Sequence, residues 1–364
     1  MRVLTVNAGS SSLKLSVLGD DDRPVLSETL VDDRDDGNRL GELLRRAGPV
    51  GAVGHRIVHG GAELTGPVRI DTAVMQQLEA LTDLAPLHQP KSLDALRSVS
   101  ELLPDVPAVA CFDTAFHSTI PPAAATYAIP AEWRRRWPLR RFGFHGLSHA
   151  YATRRAAELL DRPVETLRMV TCHLGAGASL AAVQGGRSID TTMGFTPLEG
   201  LVMATRSGSV DPGLLLWLVE HAGISVAELS SVLEHRSGLL GLAGTPDMGD
   251  IVEQSASGRD DARLGLDVYL HRLRSAIGAM AASLGGVDAV VFTGGVGENA
   301  ALVRQRVADR LGFLGLAVDP VRNQAGAADR EISPDGAGVA CLVIRAREDL
   351  QIALETRTVL GVKP

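Results

Sequence analysis

Three glycine-rich segments each follow an apolar run, an arrangement suited to binding phosphate groups. They are Asn7–Ser12, His173–Gly177 and Thr293–Asn299. Glycine lets the backbone approach a ligand closely, and successive N–H groups form a concave anion site. The chain has no G-x-x-x-x-G-K-[ST] motif, so we predict a nucleotide held between two domains rather than on a P-loop. The third segment also opens a predicted helix, whose N-terminus favours anions. The alternative is tight turns that serve only to reverse the chain.

Basic side chains that could meet such an anion are easy to single out, because lysine is rare in this chain. Of 36 basic residues only three are lysines, and Lys14 lies two residues after Ser12. On a strand both side chains would point to one face. Lys14 could therefore contact a phosphate there, or it could be a solvated edge-strand lysine. Arg56 could bind a carboxylate or phosphate through two hydrogen bonds. Arg206 lies in a loop of small residues, which is poor surroundings for an ordinary surface ion pair.

Asp113 follows a predicted buried strand, 107–113, and His88 lies between prolines in the segment APLHQP. Open α/β sheets place functional groups at the carboxyl ends of their strands. We therefore predict a functional role for Asp113; the alternative is a helix or turn cap.

Two histidine pairs with i, i+4 spacing raise the alternative of a zinc site. They are His55 with His59 and His145 with His149. Helical histidines at this spacing can bind zinc. Here Ile57, Val58 and two glycines favour a strand or loop for the first pair, and no H-E-x-x-H motif is present. The second pair has the same ambiguity.

Composition limits the class of protein. The chain has 364 residues, 45% of them apolar, and a net charge of −7. The length suggests two domains, and the charge argues against a nucleic-acid or anionic-membrane partner. The run RRRWPLRR (134–141) is interpreted as a solvated face. Three cysteines lie far apart in apolar runs, which is typical of buried reduced thiols in a cytoplasmic protein. We expect no signal peptide and no membrane span.

The elements that must position these groups alternate between strand and helix. Residues 2–18 and 168–184 both read as strand, glycine turn and strand, while 20–36 reads as a solvated acidic loop. Helices are predicted at about 38–47, 71–84, 91–103, 260–284, 299–311 and 347–359, and further strands at 287–292 and 339–344. This pattern predicts an α/β fold, but not a purely parallel doubly wound sheet. The two glycine hairpins suggest an internal duplication in which Asn7 and His173 are equivalent. The alternative is that any two such hairpins look alike.

Taken together, the motifs resemble the acetate kinase family. The segments that match in order are VNAGSSSLK (6–14), HRIVHGG (55–61), APLH (85–88), FDTAFH (112–117), FGFHG (142–146), CHLGAG (172–177), TTMGFTPLEGLVMATRSGSVDPG (191–213), SGLLGL (237–242), VVFTGGVGEN (290–299) and REDLQIA (347–353). The match spans essentially the whole chain. The region after the first hairpin is shorter than is usual in the family.

The resemblance implies two duplicated ribonuclease-H-like domains of the acetate and sugar kinase/Hsp70/actin type, with an interdomain nucleotide cleft. Residues 1–117 plus about 350–364 would form the N-terminal domain, and 118–349 the C-terminal nucleotide-binding domain. The implied reaction is reversible phosphoryl transfer from ATP to acetate, giving ADP and acetyl phosphate. It would require Mg²⁺, with Mn²⁺ as an alternative, and the protein would be a homodimer.

The resemblance also implies roles for individual residues. The proposed catalytic residues are Arg56, Asp113, His145 and Arg206, and the Mg²⁺-binding residues are Asn7 and Glu348. The proposed acetate site contains Arg56, Val58, Leu87, His88, Phe144 and Pro197. The proposed nucleotide contacts are Lys14, His173, Leu174, Gly175, Ala176, Gly177, Asp247, Met248, Gly249, Gly295, Val296, Gly297, Glu298 and Asn299.

Three residues depart from the family pattern. Ala176 replaces an asparagine of the second glycine-rich segment, Gly249 replaces an arginine after Asp-Met, and Arg347 replaces the asparagine before Glu348. Alanine cannot hydrogen-bond a phosphate through its side chain, and glycine cannot stack on a base. These changes leave open whether the donor is ATP, another nucleotide or a non-nucleotide phosphate.

Three alternative functions remain at this point. A propionate-preferring kinase is one, because an extra methylene changes binding by only about 1–3 kcal/mol. A catalytically inactive regulator that binds nucleotide or acyl phosphate is the second. A metal hydrolase built on the histidine pairs is the third, and it would require bound zinc.

Overall fold

The chain folds into two compact units. A computed structural model describes residues 1–9, 12–31, 36–82, 89–326 and 328–362. Met1–Ser118, Phe144–Tyr151 and Arg347–Pro364 form the first unit, and Thr119–Gly143 with Ala152–Ala346 forms the second. This division differs from the predicted domains because it places 144–151 in the first unit. Within 144–151, the Gly146 amide donates to the Asp113 carbonyl of the first unit at 2.7 Å. The approach is close, because a Cβ at Gly146 would lie 2.3 Å from that oxygen.

Strands and helices alternate along the described residues. The strands are β1 Val3–Ala8, β2 Ser12–Leu18, β3 Pro24–Val31, β4 Ala52–Ile57, β5 Val68–Arg69, β6 Ala108–Phe112, β7 Arg168–Leu174, β8 Ala178–Gln184, β9 Arg187–Thr191, β10 Ala289–Thr293, β11 Arg330–Glu331 and β12 Ala340–Val343. The helices are α1 Asp36–Ala47, α2 Thr72–Ala80, α3 Gln89–Leu102, α4 Pro122–Ala125, α5 Ala131–Arg136, α6 Gly146–Leu159, α7 Pro212–His221, α8 Val226–His235, α9 Gly238–Ala243, α10 Met248–Ala256, α11 Asp260–Leu284, α12 Gly294–Asn299, α13 Ala301–Ala308, α14 Pro320–Gln324 and α15 Glu348–Val359.

The sheets of the two units have the same topology. The first has the order β3-β2-β1-β4-β6-β5 and the second β9-β8-β7-β10-β12-β11. In each, an antiparallel hairpin leads into two parallel pairings. Asn7 and His173 are the penultimate residues of the equivalent strands β1 and β7. The predicted α/β class, the mixed sheet and the internal duplication are therefore confirmed.

Apolar packing holds each sheet against its helices. In the first unit, buried residues of β1, β2 and β4 pack against α1 and α3, including Leu4, Val6, Leu40, Leu43 and Val99. The other sheet face packs against α15 through Ile352 and Ala353. In the second unit, the apolar positions predicted to face the core from α11 are all buried: Leu266, Leu270, Leu273, Ile277, Met280 and Leu284.

Several elements differ from the predictions. Within the predicted acidic loop 20–36, β3 pairs with β2, because its alternating residues extend the hairpin by one strand. Gly294–Asn299 is a helix rather than a turn. α2 ends at Ala80 instead of extending toward 84. The three cysteines are buried and free, as predicted. No helix among the described residues is long and apolar enough to span a membrane.

Candidate active site

A buried ion pair lies at the carboxyl ends of two neighbouring parallel strands of the first unit. Arg56 is the penultimate residue of β4, and Asp113 directly follows β6. The Arg56 Nη2 atom donates to Asp113 Oδ2 at 2.6 Å. The Arg56 Nε atom lies 3.2 Å from Oδ1 and 3.1 Å from Oδ2. The two side chains are only 14% and 3% exposed, so the pair is largely shielded from water.

Burial and the neighbouring charges shift the pKa values of Arg56 and Asp113 in opposite directions. Burial alone would lower the pKa of Arg56, but the carboxylates of Asp113 and Glu348 raise that pKa above its ordinary value. Burial raises the pKa of Asp113, and the Arg56 guanidinium opposes the rise. Arg56 therefore stays protonated. Without it, Asp113 would be a buried carboxyl group that has lost its counter-ion.

The ion pair extends into a hydrogen-bonded chain of polar groups. The Arg56 Nη1 atom donates to Asn7 Oδ1 at 3.1 Å and to the Ala8 carbonyl at 3.0 Å. The Asn7 amide then donates to Glu348 Oε2 at 2.6 Å. Glu348 is the first residue of α15, so the helix near the end of the chain brings its carboxylate to the end of β1.

The donor set of this chain fits a Mg²⁺ ion. Mg²⁺ is bound through oxygen, commonly by one or two carboxylates together with waters and substrate phosphates. Asn7, Glu348 and Asp113 offer such oxygens within one connected network. The described residues contain no group of three or more His, Cys, Asp or Glu side chains that could hold a metal alone.

Lys14 lies beside this network on the sheet. It is exposed on β2 and pairs directly with Asn7 of β1. Residues directly opposite in an antiparallel pair share a face, with Cβ atoms about 4.5–5.5 Å apart. The lysine ammonium can therefore reach an anion bound next to Asn7.

The segment that follows Gly143 contributes Phe144 and His145 to the same unit. Phe144 is buried, and its carbonyl lies 3.3 Å from His117 Nε2. The His59 ring meets the Phe144 ring edge-on at 5.6 Å. His145 has a φ of +24°, a strained conformation for a residue with a side chain. Strain of this kind is found where a side chain is held for function.

Three histidines of the first unit are buried and held neutral. Burial lowers the pKa of His55 to about 3 and the pKa values of His59 and His117 to about 4. Both ring nitrogens of His55 lack a hydrogen-bond partner among the described residues. The first histidine pair therefore belongs to the interior of the unit.

The second unit contains a cavity of about 750 Å³. Residues predicted to contact the nucleotide line it from three segments, 173–177, 247–249 and 295–299, including Ala176, Gly249 and Val296. Apolar side chains such as Leu239, Val252 and Tyr269 form much of the remaining wall, as is typical of ligand sites.

Arg206 and Pro197 lie in the second unit, between β9 and α7. The Arg206 Nε atom is 3.3 Å from Glu234 Oε2. Burial lowers the pKa of Arg206, and the Glu234 carboxylate opposes the change. Met203 donates its amide to the Arg206 carbonyl at 3.1 Å, which fixes the backbone of this loop.

Comparisons with known proteins decide the family. A family model described as the Acetokinase family matches residues 36–354. An acetate kinase from Clavibacter sepedonicus is 44% identical over 394 residues, covering 99% of both chains. The chain belongs to the acetokinase family. The crystal structure of Porphyromonas gingivalis acetate kinase has a TM-score of 0.91 at 34% identity, covering 99% of both chains. A propionate kinase from Francisella tularensis has a TM-score of 0.92 at 33% identity, covering 98% of this chain and 99% of the other.

As a member of the acetokinase family, the chain is a phosphotransferase with a carboxyl group as acceptor. The described residues predicted for the acyl and metal side fall in the first unit, apart from Arg206 and Pro197. Leu87 and His88 lie outside the described residues.

The predicted nucleotide residues divide into two groups. The cavity is lined by Gly175, Ala176, Asp247, Met248, Gly249, Gly295, Val296 and Asn299. The remaining six are not among its lining residues: His173, Leu174, Gly177, Gly297 and Glu298, and Lys14 of the first unit. The Glu298 carboxylate accepts instead from the amides of Gly294 and Ala346, at 3.1 and 2.8 Å. Sequence reasoning missed the apolar wall of the acetokinase cavity, because isolated leucine, valine and tyrosine residues look like ordinary core.

Proposed function

We propose that the protein transfers a phosphoryl group reversibly between ATP and acetate, giving ADP and acetyl phosphate. The observation that carries this proposal is the buried network of Arg56, Asp113, Asn7 and Glu348 at the strand ends of the first unit. It combines a cation suited to a carboxylate with oxygens suited to Mg²⁺. Acetate-dependent formation of ADP from ATP tests the proposal, and no ADP above the acetate-free background would contradict it.

We assign the roles of the residues by the charge that each group meets. Arg56 binds the acetate carboxylate, while Val58 and Phe144, both buried, contact the methyl group. Arg206 and His145 stabilise the charge that spreads over the equatorial oxygens of the transferring group. Lys14 contacts the nucleotide phosphates. Asn7 and Glu348 would hold Mg²⁺, or Mn²⁺ in its place, which neutralises phosphate charge when bound.

Asp113 is assigned to metal organisation rather than to general-base catalysis. Carboxylic acids have pKa values of about 4–5, so acetate is already ionised at neutral pH and needs no base. Asp113→Asn should therefore lower kcat and require more Mg²⁺ for half-maximal rate. Rates across a Mg²⁺ series would check this, with Asp94→Asn, an exposed carboxylate, as the matched control. Lost activity at an unchanged Mg²⁺ requirement would refute the assignment.

The donor site of this chain differs from the family pattern at Gly249. Gly249 lines the cavity, and an arginine there could stack on a base at about 1 kcal/mol, roughly fivefold in affinity. We expect Gly249→Arg to lower the KM for ATP by that factor. Gly249→Ala is the control, because a Cβ there would lie 2.9 Å from Asp247 Oδ1 and could disturb the cap of α10. An equal effect of both substitutions would contradict the stacking explanation.

We propose that the protein is a homodimer and that it acts in the cytoplasm. Buried free thiols fit a reducing compartment. Leu214, Leu216 and Trp217 of α7 are exposed, and so is Val226 of α8, a helix that contacts α7. Exposed apolar side chains on neighbouring helices are typical of an interaction surface. Leu216→Glu should shift the mass measured by light scattering from dimer to monomer. Phe313→Glu changes an even more exposed apolar residue elsewhere and should leave the mass unchanged. If the Leu216→Glu variant remained a dimer, this surface would be excluded as the dimer interface.

A further inference from the structure

The loop that carries Pro197 is irregular, yet its backbone has a fixed arrangement. Residues 192–200 lie between β9 and the Arg206 segment and form neither helix nor strand. Gly194 donates its amide to the Thr196 carbonyl at 3.3 Å, and its own carbonyl accepts from the Phe142 amide at 3.0 Å. Irregular loops are usually more mobile than helices and strands, so specific contacts must hold this loop in its arrangement.

A carboxylate at the end of this loop is held by two side chains from another segment. The Tyr127 hydroxyl donates to Glu199 Oε2 at 2.6 Å, and Arg141 Nη2 donates to Glu199 Oε1 at 2.7 Å. The backbone segments that carry Tyr127 and Arg141 are joined, because Arg141 donates its amide to the Ala125 carbonyl at 2.8 Å. The Arg141 guanidinium carbon also lies 5.7 Å from the centre of the Tyr127 ring.

The same two side chains also bind the loop backbone. The Phe195 amide donates to the Tyr127 hydroxyl at 2.8 Å. Arg141 Nη1 lies 3.0–3.2 Å from the carbonyls of Thr191, Thr192 and Met193. Burial, and then the Glu199 carboxylate, raise the pKa of Tyr127. The hydroxyl keeps its proton and can donate to Glu199 while it accepts from Phe195.

The arrangement is close enough to require glycine at position 194. A Cβ there would lie 1.7 Å from Glu199 Oε2 and 2.2 Å from the Tyr127 hydroxyl. The carboxylate, the phenol and the loop backbone therefore meet without space for another atom.

The loop continues directly into the segment that carries Arg206. Gly200 donates its amide to Ser209 Oγ at 3.1 Å, and Ser209 donates its amide to the Gly200 carbonyl at 2.9 Å. These two bonds close a loop around Arg206, next to Glu199. Pro197 and Arg206 are thus joined to one anchoring point.

We propose that Tyr127, Glu199 and Arg141 are positioning residues that hold the Pro197 loop and thereby set the enzyme's selectivity for short carboxylates. The effect on selectivity rests on the proposed function, which supplies the carboxylate substrate, whereas the anchoring of the loop does not depend on it. Pro197 is one of the residues predicted for the acetate site, so we expect a loosened loop to admit a longer acid and to bind acetate less well.

Tyr127→Phe tests the proposal, because it removes one hydroxyl that serves both Glu199 and Phe195. We expect faster hydrogen–deuterium exchange in a peptide covering 192–200, and kcat/KM for acetate lower by about tenfold. The preference for acetate over propionate should fall by about threefold, while the KM for ATP stays unchanged. Glu199→Gln keeps an acceptor for Tyr127 and should give a smaller change than Glu199→Ala. Thr119→Val is the matched control, since it removes a hydroxyl bonded to the Ser188 carbonyl at 2.7 Å.

Each outcome has a distinct meaning. Unchanged exchange in Tyr127→Phe and Glu199→Ala would overturn the anchoring role. Faster exchange with unchanged acetate kinetics and selectivity would overturn the link to the acyl pocket. An equal change in Thr119→Val would show a general loss of stability and would also overturn the proposal. Faster exchange in a protein whose wild type phosphorylates no carboxylate would overturn the proposed function, while the anchoring would stand.

Discussion

Arg56→Ala should reduce acetate phosphorylation by a factor of 10³ or more and destabilise the first unit by about 3–5 kcal/mol. Activity is lost because the proposed carboxylate ligand is removed. Stability is lost because Asp113, only 3% exposed, loses its counter-ion and its hydrogen-bond donors in a buried position. Steady-state kinetics and urea unfolding measure the two effects separately.

A double-mutant cycle tells these two effects apart. In Arg56→Ala/Asp113→Ala no unpaired buried charge remains, so the double variant should be more stable than the sum of the single changes predicts. Its activity should stay lost. Arg97→Ala removes an ion pair whose two side chains are each 48% exposed, and it should cost less than about 1 kcal/mol. Additive losses in the cycle would contradict a coupled buried pair.

Acid should destabilise the protein steeply through its buried histidines. His55, His59 and His117 have folded-state pKa values of about 3, 4 and 4, against about 6.5 when unfolded. Below pH 6.5 the unfolded chain binds more protons than the folded one, so stability falls as the pH falls. Each histidine contributes about 1.4 kcal/mol per pH unit between roughly pH 5.5 and its folded pKa.

His55→Gln isolates one of these contributions. The free energy of unfolding, from urea titrations at pH 7.5, 6.0, 5.5 and 5.0, should fall with a slope about 1.4 kcal/mol per pH unit shallower than the wild type between pH 5.5 and 5.0, and the difference in slope should nearly vanish above the unfolded pKa of about 6.5. The comparison uses the slope, so the baseline cost of the substitution does not enter. His271→Gln, at an exposed position of α11, should keep the wild-type slope. An unchanged slope in His55→Gln would mean that His55 is not held neutral in the folded state.

The periodic elements of this fold could be predicted from the sequence, because their patterns are local. The α11 positions and the two glycine hairpins are examples, and the hairpins also revealed the duplication. β3 was missed because acidic runs flank it, and because its pairing with β2 is a contact between strands that the local sequence pattern does not show. The helix Gly294–Asn299 was missed because its glycines favour a turn when considered alone.

The sequence singled out individual residues of the candidate site, but not the hydrogen-bonded network that joins them. Arg56 and Asp113 were each singled out from their surroundings, yet nothing local indicated that they pair with one another. Asn7 and Glu348 are 341 positions apart, and only the resemblance placed them together. Tyr127 carries no sequence signal and Glu199 only its place in the matched segment 191–213, because their roles depend on a contact between an irregular loop and another segment.

The most direct test of the account is acyl-phosphate formation, trapped as the hydroxamate. Acetate, propionate and butyrate would each be tested with Mg²⁺ and with ATP, GTP or pyrophosphate as donor. The account predicts the highest rate with acetate and ATP, which would also show that Ala176 and Gly249 are tolerated in the donor site. A folded protein that binds nucleotide but forms no acyl phosphate with any pair would contradict it and would indicate a regulator instead.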